Sequence, residues 1–279
     1  MSVVTRFAPS PTGWLHLGHA YAAILAEEQA SRNNGRFLIR LEDIDSGRSR
    51  PEYETALFED LAWLGLTWEL PVRRQSEHQG DYRQALTQLD SLGLLYPCFC
   101  TRREIQDEIA RASQAPHGPD GPLYPGTCRN RNLSEAADFI ANGQPYAMRL
   151  NVEKAISFVD KELRWEDAAR GPQVASPAIF GDVVLARKDT PASYHLAVVV
   201  DDALQDITLV TRGEDLFEAT HLHRLLQDLL KLPVPVWHHH SLVTDEKGKR
   251  LAKRDDARSL RTLRQEGWTP EDIRAALPR

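Results

Sequence analysis

Cysteine is scarce in this chain of 279 residues: there are three, an odd number that no intramolecular disulfide framework uses completely. Long apolar runs are missing too. No stretch approaches the roughly 20 residues of a membrane span, and the N-terminus lacks the charged-then-apolar pattern of a secretory leader. A cytoplasmic protein without membrane contact is expected. Nor is positive charge in excess: 34 lysines and arginines stand against 40 aspartates and glutamates, a net −6. That balance excludes capture of nucleic acid by bulk charge, so any RNA contact has to use a local basic patch. What is present, 42% hydrophobic and 27% charged residues, is enough to bury one large core, as a single domain or a domain with an insertion.

Two short clusters at opposite ends of the chain stand out. Near the start, Arg6-Phe7-Ala8-Pro9-Ser10-Pro11-Thr12-Gly13 leads into His16-Leu17-Gly18-His19. This reads as a strand, a proline-stiffened turn opened by glycine, and a helix with two imidazoles at its N-terminal end. Such an end offers backbone N–H groups and a positive dipole to phosphate, and histidine adds donors that can follow moving charge. Near the stop, Lys247-Gly248-Lys249-Arg250 and Arg250-Leu251-Ala252-Lys253-Arg254 concentrate positive charge on a glycine-containing stretch able to close over the same phosphates. Taken singly, the histidine pair reads equally as packing and the basic run as a solvated loop.

The cysteines fall as Cys98-Phe99-Cys100 and Cys128. A Cys-x-Cys pair can direct two thiolates at one ion, and zinc takes four ligands in a tetrahedron. Tyr124 and His117 are the two candidates for the fourth position, and three buried thiols are the alternative. The intervening Pro116-His117-Gly118-Pro119-Asp120-Gly121-Pro122 has little capacity to form a core of its own.

Apolar patterning places a strand at Val3 to Phe7, a helix at Ala20 to Arg32, and a strand at Phe37 to Leu41 ending in Glu42-Asp43-Ile44-Asp45. Helices follow at Tyr53 to Leu64 and Asp81 to Leu92. Tyr146 to Arg170 reads as irregular and strand-rich; Val183 to Ala186, His195 to Val200 and Ile207 to Val210 read as strands, and Leu216 to Leu230 as a helix. Interleaved strands and helices favour an α/β fold, Rossmann-like and doubly wound around a mainly parallel sheet. With it go a zinc-containing insertion and a short helical C-terminal region opened by Thr269-Pro270-Glu271-Asp272. The expected divisions are 1–95 and 176–240 for the two halves of a nucleotide-binding body, 96–175 for the insertion, and 241–279 for the basic loop and closing helices. Ligands of such sheets gather beyond strand ends, which singles out Glu42, Tyr194 and Arg212; a turn cap, a core phenol and a pairing with Glu214 or Asp215 are their structural alternatives.

The histidine and basic clusters together resemble the HIGH and KMSKS signatures of the class I aminoacyl-tRNA synthetases, and the Arg6 to Gly13 segment resembles their glutamyl branch. The resemblance implies activation of L-glutamate by ATP with Mg²⁺. His16, Gly18, His19, Arg250 and Lys253 would serve ATP, with His16, His19 and Lys253 catalytic. Arg6, Ser10, Glu42, Tyr194 and Arg212 would hold glutamate. It also implies one structural Zn²⁺ on Cys98, Cys100, Tyr124 and Cys128, since Asn130 stands where a Cys-x-His pattern would put histidine. Ala252 departs from the usual serine, removing a hydroxyl donor. Only residues 255–279 follow the basic cluster, whereas a conventional glutamyl enzyme continues into an anticodon-binding domain. That organisation resembles the glutamyl-queuosine tRNA(Asp) synthetases, which implies transfer of glutamate to queuosine in the tRNA(Asp) anticodon stem-loop, activation without tRNA, and a monomer. A shortened conventional glutamyl enzyme, a small-molecule nucleotidyltransferase and a non-catalytic RNA- or protein-binding relative are the competing readings.

Overall fold

The computed structural model describes residues 2–111, 117–187, 190–243 and 258–278. Val4–Phe7 is buried along its length and runs parallel to Arg36–Leu41, with Val4 opposite Arg36 and Phe7 opposite Ile39; Arg73–Arg74 extends the sheet. A strand covered on both faces has to satisfy its polar groups internally. Both are satisfied here: Thr5 donates to the Ala26 carbonyl at 2.7 Å and Arg6 is held by Asp202. A second parallel set, Leu209–Gly213, Val236–His240 and Arg164–Asp167, ends in the antiparallel Gly171–Val174. Thr208 joins the two sets, its N–H donating to the Val4 carbonyl at 3.0 Å and its hydroxyl accepting from the Val4 N–H at 2.8 Å. The carboxyl ends of Val4–Phe7 and Leu209–Gly213 therefore lie side by side, where an open α/β sheet collects its ligand.

The helix Leu17–Arg32 buries Ala20, Ala23, Ala26 and Ala30 against the first sheet, small side chains that allow helix and strands to approach closely. At its end Gly35 has no room for a side chain, since a Cβ there would stand 2.0 Å from the Val3 carbonyl oxygen. A second apolar cluster gathers Leu89, Leu94, Leu150, Leu185, Leu196 and Leu225 into one core. It takes in a three-stranded sheet, Val183–Arg187, Ala147–Leu150 and Leu95–Cys98, which is antiparallel throughout. The parallel arrangement thus describes the body and not this layer.

Two expectations are corrected. His195 to Val200, read as a strand, belongs to the helix Tyr194–Leu204, capped by Ser193 accepting from the Leu196 N–H. Every residue from Leu196 to Asp202 is buried, and a helix enclosed on all sides carries the same unbroken apolar run as a buried strand. Tyr146 to Arg170 contains the helix Val152–Val159 between its two strands. At the C-terminal end the Thr269 cap holds as read: Pro270–Ala275 is a helix with a capping box closed by Asp272. Among the described residues no helix is long and apolar enough to cross a membrane.

Candidate active site

The histidine cluster folds into a reciprocal cap on Leu17–Arg32. His16 precedes the helix and its Nδ1 accepts from the Gly18 N–H at 3.1 Å, while His19 Nδ1 accepts from the His16 N–H at 3.2 Å. Because both Nδ1 atoms accept, each neutral ring carries its proton on Nε2. The expectation of open backbone N–H groups is corrected to this extent: the Gly18 N–H is already taken by His16 Nδ1. A Cβ at position 18 would lie 3.0 Å from His16 Cε1, so a side chain there would press on the His16 ring. His16 also forms a bridge with Ser259, and the Leu260 N–H donates to the Leu15 carbonyl at 2.8 Å. The chain returning from the basic cluster is thus fastened to the histidine cap. Arg250, Ala252 and Lys253 themselves lie outside the described residues.

A cavity of about 640 Å³ is lined by Ser10, Glu42, Gln75, Arg102, Arg187 and Tyr194. Glu42 follows the strand Arg36–Leu41 and contacts Arg40 at 3.3 Å; burial raises its carboxyl above the usual range against the pull of Arg40 and Arg6. Arg6 and Arg212 lie deeper than this lining. Arg6 donates through Nε and Nη2 to Asp202 at 2.9 and 3.4 Å and through Nη1 to the Thr211 carbonyl at 3.3 Å. Arg40 reaches the same Asp202 at 2.7 Å.

Arg212 is bound differently. Its Nε donates to His239 Nε2 at 3.1 Å, Nη1 to Tyr194 Oη at 3.3 Å and to His223 Nδ1 at 3.2 Å, and Nη2 to Thr220 Oγ1 at 2.6 Å. All four partners are uncharged groups. Burial and the nearby Arg6 lower its pKa, although Tyr194 and Asp202 act in the other direction. The pairing with Glu214 or Asp215 weighed for Arg212 is absent from its contacts; Glu214 instead meets Arg170 at 3.1 Å. The sequence reading missed His223, His239 and Asp202. The i, i+2 spacing of His221 and His223 inside a leucine-rich helix carries no pattern that marks a site, and the strand bearing His239 was not anticipated.

The three thiols come together as read. Tyr124 Oη lies 3.3 Å from Cys98 Sγ and 3.4 Å from Cys100 Sγ, and Cys100 and Cys128 are 3.5 Å apart. For zinc–sulfur bonds of about 2.3 Å and a zinc–oxygen bond of about 2.0 Å, tetrahedral ligands sit at about these separations. Burial raises the Cys128 thiol, but hydrogen bonds from Tyr124, the Phe99 backbone and the other thiols outweigh it and bring it down to about 7. The Tyr124 phenol is driven the other way, by burial and its thiol neighbours. The Arg149 guanidinium stacks 3.8 Å over its ring. Asp182 draws the neighbouring segments together, accepting from Tyr96 at 2.6 Å, Arg129 at 2.7 Å and the Val152 N–H at 3.0 Å. The donor set fits zinc; the side chain of His117, the other candidate, lies outside the described residues.

Comparison with known proteins gives the chain's relatives. The model of the class I tRNA synthetases (E and Q), catalytic domain, matches residues 2–279. A glutamyl-Q tRNA(Asp) synthetase of Rhodobacter capsulatus is 51% identical over 98% of both chains. A glutamate–tRNA ligase of Aquifex aeolicus is 41% identical over 97% of this chain and 55% of its own length. Among solved structures, the glutamate–tRNA synthetase of Elizabethkingia anophelis superposes with a TM-score of 0.78 at 29% identity, covering 91% of this chain and 53% of that one. The chain thus spans about half the length of the solved synthetases it matches.

Proposed function

The chain belongs to the class I tRNA synthetases of the E and Q type, and from that membership we propose that it is a ligase activating L-glutamate with ATP, without tRNA, and passing it to queuosine in the tRNA(Asp) anticodon stem-loop. The observation that carries the substrate is Arg212, a buried guanidinium answered only by neutral groups beside a cavity of small-molecule size. Planar guanidinium donors suit a carboxylate. Arg212 keeps one N–H on the nitrogen bound to Thr220, and Tyr194, accepting from Arg212, can turn its own proton toward the ligand. Arg6 keeps a further N–H on each terminal nitrogen and adds positive charge behind the same wall. Glu42 would receive the substrate ammonium, and Ser10 gives a polar edge.

In the first step an oxygen of the substrate α-carboxylate attacks the α-phosphorus of ATP; the bond to the bridging oxygen breaks and pyrophosphate leaves, giving glutamyl-adenylate. His16 and His19 would donate to phosphate oxygens from Nε2, and Lys253 with Arg250 would neutralise charge as it moves to the leaving group. Mg²⁺ accompanies the nucleotide. In the second step an acceptor hydroxyl attacks the acyl carbon, its proton is lost and AMP departs. No enzyme nucleophile is needed. The relative named for glutamyl-Q tRNA(Asp), matching end to end, supports the queuosine acceptor over a 3′-terminal ribose. Zinc would sit on Cys98, Cys100, Cys128 and Tyr124, where four protein ligands leave no position for substrate, so its part is structural.

Exchange of labelled pyrophosphate into ATP tests the activation step. Glutamate-dependent exchange is expected with no RNA present. Exchange that starts only on adding tRNA would contradict the proposed autonomy.

A further inference from the structure

Arg6 and Arg40 are both answered by the carboxylate of Asp202, whereas Arg212 is gripped by acceptors that carry no charge. We propose that His223 and His239 are positioning residues that set specificity for a carboxylate: they fix the Arg212 guanidinium without neutralising it, leaving its charge for the substrate. This rests on reading the cavity as a glutamate site.

Hydrogen-bond logic fixes both rings. A guanidinium has no acceptor, so His223 Nδ1 must accept from Arg212 and the ring's proton sits on Nε2. That proton is donated to His195 Nδ1 at 3.1 Å, and His195 in turn presents its own Nε2 to Asp120 at 3.3 Å. On the other side His239 Nε2 accepts from Arg212, so its proton lies on Nδ1 and is donated to Asp167 at 2.6 Å. Asp167 is fully buried and also accepts from the Ala169 and Arg170 N–H groups, which hold it as a carboxylate. Each imidazole is thus oriented by a chain ending in an acid, and neither acid touches Arg212. Burial and the guanidinium itself keep the rings neutral: His239 is lowered to about 4, against the pull of Asp167, and His223 falls well below its ordinary value.

The consequence is selectivity between two side chains of nearly equal shape. A carboxylate gains a charge-assisted bond to Arg212; a carboxamide leaves the charge unanswered. An acid placed where His223 stands would remove that difference from within.

The experiment is pyrophosphate exchange by the full chain with glutamate and with glutamine, comparing wild type, H223D, H223N and H223L, each checked for folding by circular dichroism. H223D is expected to raise KM for glutamate at least about tenfold while KM for ATP stays put, and the glutamate-to-glutamine ratio of kcat/KM falls with it. H223N, which can still offer an oxygen acceptor, restores most of the ratio. If H223D does not fold, H223L carries the test, its lost acceptor showing in glutamate KM and not in kcat. Wild-type glutamate preference in whichever of H223D and H223L folds, or equal losses for both amino acids, overturns the proposal. Absence of glutamate-dependent exchange in the wild type overturns the glutamate reading itself, and the proposal with it.

Discussion

Arg212 shows how much a single residue's meaning depends on its partners. Its position near a strand's carboxyl end was legible, although the strand runs Leu209–Gly213 and contains it instead of ending before it; four neutral contacts, not the position, distinguish it from a structural arginine. Arg212→Ala is expected to lower kcat/KM for glutamate by roughly 2–5 kcal/mol in transition-state terms, with an unchanged far-ultraviolet spectrum. A folded mutant with near-wild-type pyrophosphate exchange would rule out the assignment. Gly18 carries a second prediction. A methyl group there meets His16 at 3.0 Å, so Gly18→Ala should displace the His16 ring and raise KM for ATP while leaving KM for glutamate in place. Steady-state kinetics varying each substrate in turn separates the two.

Elements reveal where pattern reading works and where it stops. The histidine pair, Glu42 and the Thr269 cap were placed correctly because local chemistry determines them: a turn, a strand end, a capping box. Tyr194–Leu204 was misread since burial on every side erases the periodicity that tells helix from strand. The imidazole clamp was invisible for another reason: His223 and His239 come from different elements and acquire their role only when both meet Arg212. The helix Pro51–Trp63 holds a further anomaly, Asp60, which is buried, has no hydrogen bond to Oδ2, and is raised to about 6 by burial despite Arg264. An acid whose folded pKa exceeds its unfolded value destabilises once ionised, so this penalty is absent below about pH 4 and complete above about 6. Asp60→Asn should therefore stabilise by roughly 2–3 kcal/mol at pH 7.5 and by little at pH 4. Melting curves at the two pH values check it; an equal effect at both would assign the change to packing. If the proposed zinc sits on the three cysteines, purified wild type contains about one zinc per chain and Cys128→Ser loses it, with acceptor transfer impaired more than adenylate formation, measured by metal analysis beside both half-reactions.

At the scale of the whole molecule, the proposed function joins a conventional catalytic problem, bringing ATP and an amino acid together, to an unconventional acceptor. The fastening of Ser259 to His16 draws the two ends of the chain to one site, and the insertion borders a second cavity of about 1040 Å³ that shares Arg102, Val184 and Arg187 with the first. With net charge −6, RNA has to be held by local basic residues, so transfer should weaken as salt rises while adenylate formation changes less. The acceptor itself decides the account. Queuosine-containing tRNA(Asp) and the same tRNA with unmodified guanosine are each incubated with ATP and labelled glutamate, then digested to nucleosides. The account predicts label on the queuosine nucleoside of the first and none on the second; equal labelling of both, or label released with the 3′-terminal adenosine, would contradict it.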